Sequence, residues 1–268
     1  MGADELADVF AHWNRGDLES FLIEITSQIL RVKDNETGGP LIDVILDMAG
    51  QKGTGKWTTH AALDLCVAVP TIAAAVDARV ISSMKDEREA ASEKIVAPSQ
   101  TRYAGDRDEL VAAVHDALLA SKVCSYAQGM SLIQAASEEY DWGVRPGELA
   151  RIWKGGCIIR ARLLDSIRQA YERQPDLRNL LLDDEFNQQI GTMQAHWRKA
   201  VSTAHEIGIP VLAMGSSLSY FDSCRTARLP QNLTQAQRDF FGAHTYERTD
   251  HPERGFVHTD WSRARSEG

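Results

Sequence analysis

The sequence predicts an all-α fold, with one large multi-helix domain followed by an extended C-terminal tail. Apolar residues recur at helical spacing through most of the 268 residues. Runs that alternate β-branched or aromatic residues with polar ones, the signature of strands, are almost absent. No internal repeat with a period of roughly 20–50 residues is present. We therefore expect a helical domain over about residues 1–226 and a tail over about residues 227–268.

The first predicted helix follows Asp17, whose carboxylate could cap the free backbone N–H groups of the first turn. Its apolar stripe holds Leu18, Phe21, Leu22, Ile25, Ile29 and Leu30. Gly38, Gly39 and Pro40 then interrupt the chain, and the apolar run 41–46 could be a strand or a helix. Proline suits a first helical turn, so Pro70 should begin the next helix, which continues to about Met84.

Further helices are predicted over residues 107–121, 123–140, 146–153 and 157–173. Another should run from about Asp183 until Gly208 and Pro210 stop it. In the tail, a short helix is predicted over 234–241, followed by a polar and irregular run. Four large apolar side chains there have little local structure to pack on, which favours a neighbouring subunit as their host: Phe240, Phe241, Phe256 and Trp261.

Composition excludes several classes of protein. A net charge of −9 and a pI near 5.4 argue against a nucleic-acid-binding protein, which needs a basic face. The longest uncharged apolar stretch, 65–76, contains a proline and is shorter than the ~20 residues of a membrane span, so no membrane partner is expected. The four cysteines are widely spaced, which indicates reduced thiols and a cytoplasmic location. The eight histidines show no ligand spacing, so no metal site is expected.

The segment Gly50–Thr58 is the most informative motif. Three glycines and two lysines within seven residues could let backbone amides and ammonium groups approach an anion. The spacing nearly matches a Walker A motif, but Trp57 stands where that motif needs a hydroxyl, which excludes a P-loop kinase. A glycine turn with solvated lysines explains the segment equally well.

Arg79 lies at the edge of the apolar stripe of the helix that begins at Pro70. A cation in that position needs a partner, because burying it unpaired is costly. The partner could be a carboxylate or a substrate phosphate, which guanidinium binds in a bidentate manner. Nearby, the charged run 85–89 indicates a solvated helix end with local ion pairs.

Seven segments together resemble 6-phosphogluconate dehydrogenase, in that family's order and across nearly the whole chain. They are Leu18–Ile25, Gly50–Thr58, Ser82–Arg88, Ser125–Gly129, Trp153–Arg160, Leu180–Asp184 and Gln235–Glu247. The resemblance implies a homodimer whose C-terminal tail packs into the partner subunit. It also implies that Lys52 and Arg79 of one subunit bind the phosphate of 6-phosphogluconate together with Arg238 and His244 of the other.

The resemblance further implies an N-terminal domain that binds NADP and carries the acid–base residues, neither of which is found here. No GxGxxG fingerprint occurs in the sequence. The resemblance therefore leads us to interpret the chain as the substrate-binding and dimerisation portion of a 6-phosphogluconate dehydrogenase. Enzymes of this family oxidatively decarboxylate 6-phosphogluconate to ribulose 5-phosphate with NADP. No catalytic or cofactor-binding residue is expected in this chain, and we expect it not to turn over alone. The alternative is a non-catalytic sugar-phosphate-binding or dimerisation module.

Overall fold

The computed structural model describes residues 1–262 and confirms the all-α fold class. It contains eleven α-helices within that range: α1 Ala3–Trp13, α2 Phe21–Ile29, α3 Thr54–Asp64, α4 Pro70–Ser83, α5 Lys85–Lys94, α6 Arg107–Glu139, α7 Pro146–Trp153, α8 Leu163–Arg173, α9 Asp184–Glu206, α10 Leu212–Cys224 and α11 Gln231–Gly242. Short 3-10 helices cover Leu41–Val44, Leu180–Leu182 and Pro252–Arg254. Two-residue strands β1 Tyr246–Glu247 and β2 Phe256–Val257 pair antiparallel.

Contacts between Cα atoms divide the chain into two compact units, Met1–Phe221 and Asp222–Gly268. We call them the helical unit and the tail unit. The domain boundary predicted after residue 226 stays a prediction, and residues 263–268 of the predicted tail lie outside the described residues.

The core of the helical unit is built around α6 and α9. Ala113, Ala117 and Ala120 of α6 are fully buried, and their small side chains leave room for a neighbouring helix to approach. The largest fully buried side chain is Trp197 of α9, whose ring lies 5.7 Å from the ring of Phe221. Because large side chains of one helix fill the space above small ones of another, the two longest helices share one core.

α6 differs from the prediction of two helices with a break near residue 122. It is continuous for 33 residues, because Lys122 keeps helical geometry at the point where the break was predicted. This helix is also long and apolar enough to cross a membrane by length and composition. A third to a half of its length is nevertheless buried in the core, as in the central helix of a globular domain.

Two helix starts were also predicted wrongly. α2 begins at Phe21 with Ser20 as its N-cap, not Asp17, because the preceding turn buries Leu18 completely. The helix predicted from residue 157 begins only at Leu163. The backbone before it pairs instead with the start of α2: Phe21 donates to the Arg160 carbonyl at 3.1 Å.

Other boundaries match the sequence prediction and have clear local causes. Pro70 and Pro146 occupy the first turns of α4 and α7, where a missing backbone N–H is harmless. The carboxylate of Asp183 caps α9 by accepting from the backbone N–H groups of Glu185 and Phe186, both at 3.2 Å.

The tail unit is more ordered than the sequence predicted. The polar run after α11 forms the β1–β2 ribbon, with Tyr246 opposite Val257. Trp261 was expected to lack local packing, yet its ring lies 5.9 Å from that of Phe240 on α11. Phe241 and Phe256 do remain exposed, at 71% and 72%.

Candidate functional site

The predicted anion-binding segment forms a left-handed turn that leads into α3. Gly53 is the N-cap of this helix and has φ of 112°, a conformation that L side chains rarely adopt. Lys52 is exposed and directly precedes this N-cap, two residues before the helix begins at Thr54. The helix N-terminus presents free backbone N–H groups and a partial positive charge, so the turn has the geometry of an anion site.

Gly55 allows the first turn of α3 to lie directly against α4. A Cβ atom at this position would come within 2.7 Å of the Cγ2 atom of Val76. Lys52 lies three residues before Gly55, and Arg79 lies three residues, about one helical turn, after Val76. The close contact of the two helices therefore brings the loop of Lys52 near the turn of α4 that carries Arg79.

We expect Gly55→Ala to destabilise the chain by about 1–3 kcal/mol, because Val76 is β-branched and cannot easily move away. Chemical denaturation followed by circular dichroism measures the free energy of unfolding. Gly129→Ala is the matched control: no atom lies within 4 Å of a Cβ there, so alanine should be neutral or stabilising. If Gly55→Ala lowers the free energy of unfolding as much in a Val76→Ala background as in the wild type, the proposed contact is contradicted.

Asp47 ties the segment before the glycine turn to the junction of α4 and α5. Its carboxylate accepts from Arg88 and from Lys85, each at 2.9 Å. Arg88 also donates to the Ser82 carbonyl at 3.0 Å. The charged run 85–89 therefore makes a long-range ion-pair cluster as well as the local pair of Lys85 with Glu89.

A second contact holds the same segment against the turn of Arg79. The backbone N–H of Ala49 donates to the Ser82 hydroxyl at 2.9 Å, and that hydroxyl donates to the Arg79 carbonyl at 2.8 Å. The Asp47 cluster and the Ser82 hydroxyl thus fix the chain on both sides of residue 48. Sequence reasoning missed both contacts, because their partners are more than 30 residues apart.

Hydrogen bonds from Arg88 and then Lys85 lower the pKa of Asp47 from 3.8 to about 2. A lowered folded-state pKa means that the ionised carboxylate stabilises the fold above pH 3.8, and that this contribution is lost as the pH falls toward 2. We expect Asp47→Asn to lower the Tm at about pH 6 and to lower it less at about pH 3. Asp43→Asn, at an exposed position outside the cluster, is the control and should show no such pH dependence. A Tm difference for Asp47→Asn that is constant with pH would refute the assignment.

Lys52 and Arg79 are both exposed, and neither has a carboxylate oxygen within 4.0 Å among the residues that the structure describes. Arg79 therefore does not have the carboxylate partner that the sequence left open. Two cations without an ion pair, carried by adjoining segments beside a helix N-terminus, form a surface suited to a dianion.

Arg238 lies on α11 of the tail unit and is held by a short chain of hydrogen bonds. Its guanidinium donates to the side-chain oxygen of Gln235 at 2.9 Å. The amide nitrogen of Gln235 in turn donates to the Thr245 carbonyl at 2.5 Å. Gln235 thus links Arg238 to the residue that follows His244.

His244 lies in a tight turn after α11. Ala243 and Thr245 on either side have positive φ of 48° and 61°. The imidazole packs over Gly242, where a Cβ would come within 2.8 Å of the ring, and makes an edge-on contact with Phe241 at 5.9 Å. The ring is thereby held on the same short stretch of backbone as Arg238.

Asp239 organises this stretch and is completely buried. One carboxylate oxygen accepts from the Thr245 backbone at 2.9 Å and from His258 at 2.9 Å. The other accepts from the Thr259 backbone at 3.0 Å and from the Trp261 indole at 2.9 Å. Burial opposes ionisation, but these four bonds hold the pKa of Asp239 well below its ordinary value.

The four residues predicted to bind phosphate thus fall into two pairs. Lys52 and Arg79 lie on neighbouring segments of the helical unit, and Arg238 and His244 lie six residues apart in the tail unit. Their role in binding stays a prediction. Asp239 and Gln235 were not singled out by sequence reasoning, although both lie in the motif that contains Arg238.

Comparison with known proteins identifies relatives of this chain. The sequence profile described as 6-phosphogluconate dehydrogenase, C-terminal domain, matches residues 1–261. A decarboxylating 6-phosphogluconate dehydrogenase of Synechococcus elongatus is 57% identical over 97% of this chain. An NADP(+)-dependent decarboxylating 6-phosphogluconate dehydrogenase of Bacillus subtilis is 54% identical, also over 97%.

A solved structure agrees with this similarity. The 6-phosphogluconate dehydrogenase of Plasmodium falciparum, described in its apo form and in complex with its cofactor NADP+ and its substrate 6-phosphogluconate, superposes with a TM-score of 0.92. It is 44% identical over 97% of this chain. The chain spans only 55% of the length of both bacterial relatives and 56% of the Plasmodium chain.

Proposed function

The chain belongs to the 6-phosphogluconate dehydrogenase family, and from that premise we propose that it binds 6-phosphogluconate at a site shared between two copies. The substrate phosphate is bound by Lys52 and Arg79 of one copy and by Arg238 and His244 of the other. The absence of a carboxylate partner for Lys52 and Arg79, in the part of the chain that the structure describes, is the observation that carries the proposal.

Each group contributes differently to phosphate binding. Arg79 offers a planar guanidinium that can donate two parallel hydrogen bonds to phosphate oxygens. Lys52 supplies a compact positive charge, and the N-terminus of α3 adds backbone donors next to it. The local charge is favourable although the chain carries a net charge of −9, because net charge says little about one site.

A homodimer would bring the two pairs of residues to one phosphate. Apolar side chains before the glycine turn support an interface there: Val44, Ile45 and Leu46 are 54%, 54% and 62% exposed. Exposed apolar residues that follow one another in sequence are typical of surfaces covered by a partner. Since the Asp47 cluster holds this segment against α5, the interface would form beside the turns that carry Lys52 and Arg79.

The residues that the structure describes do not fit NADP. The one sheet among residues 1–262 is the short antiparallel β1–β2 ribbon, whereas a dinucleotide fingerprint needs a parallel strand–helix–strand unit. We therefore assign no step of the oxidation or decarboxylation to this chain, and propose that it binds substrate and forms the dimer without turning over alone. A cytoplasmic location also stays a proposal.

Isothermal titration of the chain with 6-phosphogluconate tests this function. We expect binding by the wild type, no binding of gluconate, and affinity about 10- to 100-fold weaker in Lys52→Met, since a charge-assisted contact contributes roughly 1.5–3 kcal/mol. Lys94→Met removes an exposed lysine of α5 and serves as the matched control. Equal affinity of the wild type and Lys52→Met, or equal binding of gluconate, would overturn the proposal.

A further inference from the structure

The helical unit contains a large groove that the proposed phosphate site does not use. Its volume is about 820 Å³, and its walls come from α2 and the turn before it, one residue of α3, α4, α6, and the end of α7 with the segment that follows it. Most of its lining is apolar, including Leu22 and Ile158, which are 47% and 62% exposed. Such a surface is costly to leave in water, so it indicates a binding partner.

The groove follows one face of α6 for three turns. Seven residues of α6 line the groove, and the sequence separation between consecutive ones alternates between three residues and one: Leu118, Ser121, Lys122, Ser125, Tyr126, Gly129 and Met130. This spacing is that of a helix face that packs against another helix, and it extends for about 18 Å. Three of these residues, Ser121, Ser125 and Gly129, are small and follow one another at intervals of four, so they would allow the backbone of a second helix to approach closely.

Two polar atoms in this groove lack partners among the described residues. The Lys122 ammonium nitrogen and the Ser121 hydroxyl are buried and make no hydrogen bond. Burial lowers the pKa of Lys122 from 10.5 to about 8. An unpaired buried cation is destabilising, so a carboxylate or carbonyl from an occupant would satisfy both atoms.

We propose that this groove is the docking site of an apolar helix from the part of the enzyme that this chain does not cover, and that this helix supplies an acceptor to Lys122. The bacterial and Plasmodium relatives are nearly twice as long as this chain, which leaves ample polypeptide for the occupant. The proposal rests on family membership and on the groove, not on phosphate binding.

The test uses overlapping peptides of about 25 residues that tile the part of the Synechococcus elongatus relative outside its match to this chain, long enough for a helix to span the groove. Fluorescence anisotropy measures their binding to the purified chain. We expect one peptide, or a few that overlap, to bind the wild type and to bind Gly129→Leu at least tenfold more weakly. A Cβ atom at residue 129 would meet no atom within 4 Å, so we expect the leucine side chain to extend into the groove and narrow it.

Gly191→Leu is the control, and Lys122→Met is a second test of the proposal. Gly191→Leu on α9, where a Cβ also meets no atom within 4 Å, should bind the peptide like the wild type. Lys122→Met should weaken peptide binding while raising the Tm of the isolated chain, because it removes an unpaired buried cation.

Binding of no peptide, or equal binding by the wild type and Gly129→Leu, would overturn the proposal. Binding of dodecanoate that Gly129→Leu abolishes, with no peptide bound, would assign the groove to a small amphiphile and would also overturn it. Binding of 6-phosphogluconate is measured in a separate titration. A negative result with the peptides is therefore distinguishable from a negative result for the phosphate site.

Discussion

Mixing Arg79→Ala and Arg238→Ala chains should restore tight binding of 6-phosphogluconate, which each variant alone has lost. Each substitution removes one phosphate contact and should weaken binding about 10- to 100-fold. In a mixed dimer with shared sites, one site carries both substitutions and the other carries none. After complete exchange about half of the dimers are mixed, so about a quarter of all sites should regain wild-type affinity.

The matched control mixes Arg79→Ala with Lys52→Met. Both substitutions fall in the same half of the proposed site, so every site of a mixed dimer keeps one lesion and no tight binding returns. Isothermal titration gives the fraction of tight sites, and native mass spectrometry establishes that the chains are dimeric and have exchanged. A stable monomer, or no recovery for Arg79→Ala with Arg238→Ala after proven exchange, would reject the shared site.

Asp239→Ala should abolish the ordered structure of the tail unit. The substitution leaves four donors without their acceptor: the backbone N–H groups of Thr245 and Thr259, His258 and the Trp261 indole. We expect rapid tryptic cleavage at Arg248 and Arg254, together with a change in Trp261 fluorescence. Binding of 6-phosphogluconate should fall as well, because Arg238 and His244 lie on the same backbone.

Two further variants separate this role from a loss of charge. Asp239→Asn keeps the size of the side chain but turns an amide N–H₂ group toward two donors, so it should disorder the tail to a lesser degree. Asp260→Ala removes an exposed carboxylate of the same segment and should leave the proteolysis pattern unchanged. A tail that stays protected in Asp239→Ala would show that the four hydrogen bonds are not what orders it.

Local signals were sufficient to predict several of the helices, whereas α1, α3 and α10 were not predicted. Pro70, Pro146 and Asp183 each mark a helix start through backbone chemistry that involves only the next few residues. Prediction failed where a distant segment decided the outcome. Cys157–Arg162 is not helical because its backbone pairs with residues 19–21, about 140 residues earlier in the chain.

The residues of the candidate site were likewise only partly predictable from local sequence. Glycine and lysine composition pointed to the turn at Lys52, whereas the choice of Arg79, Arg238 and His244 came from the family resemblance. Nothing in the sequence around Asp239 marks it as buried, because its four partners come from residues 245–261 and meet it only after the tail has folded. The groove along α6 was not predicted for a related reason: its walls come from five separate parts of the chain.

The hydrogen bonds of Asp239 also bear on how this part of the family can evolve. All four partners of the carboxylate lie within 22 residues of it, so residues 239–261 carry their own folding information. Transfer of that whole segment to another chain would carry every donor together with its acceptor, whereas a point substitution at Asp239 or Trp261 would break one or more of these hydrogen bonds. We therefore expect selection to act on residues 239–261 as one unit. His244 lies within this unit, together with the residues that hold its turn in place.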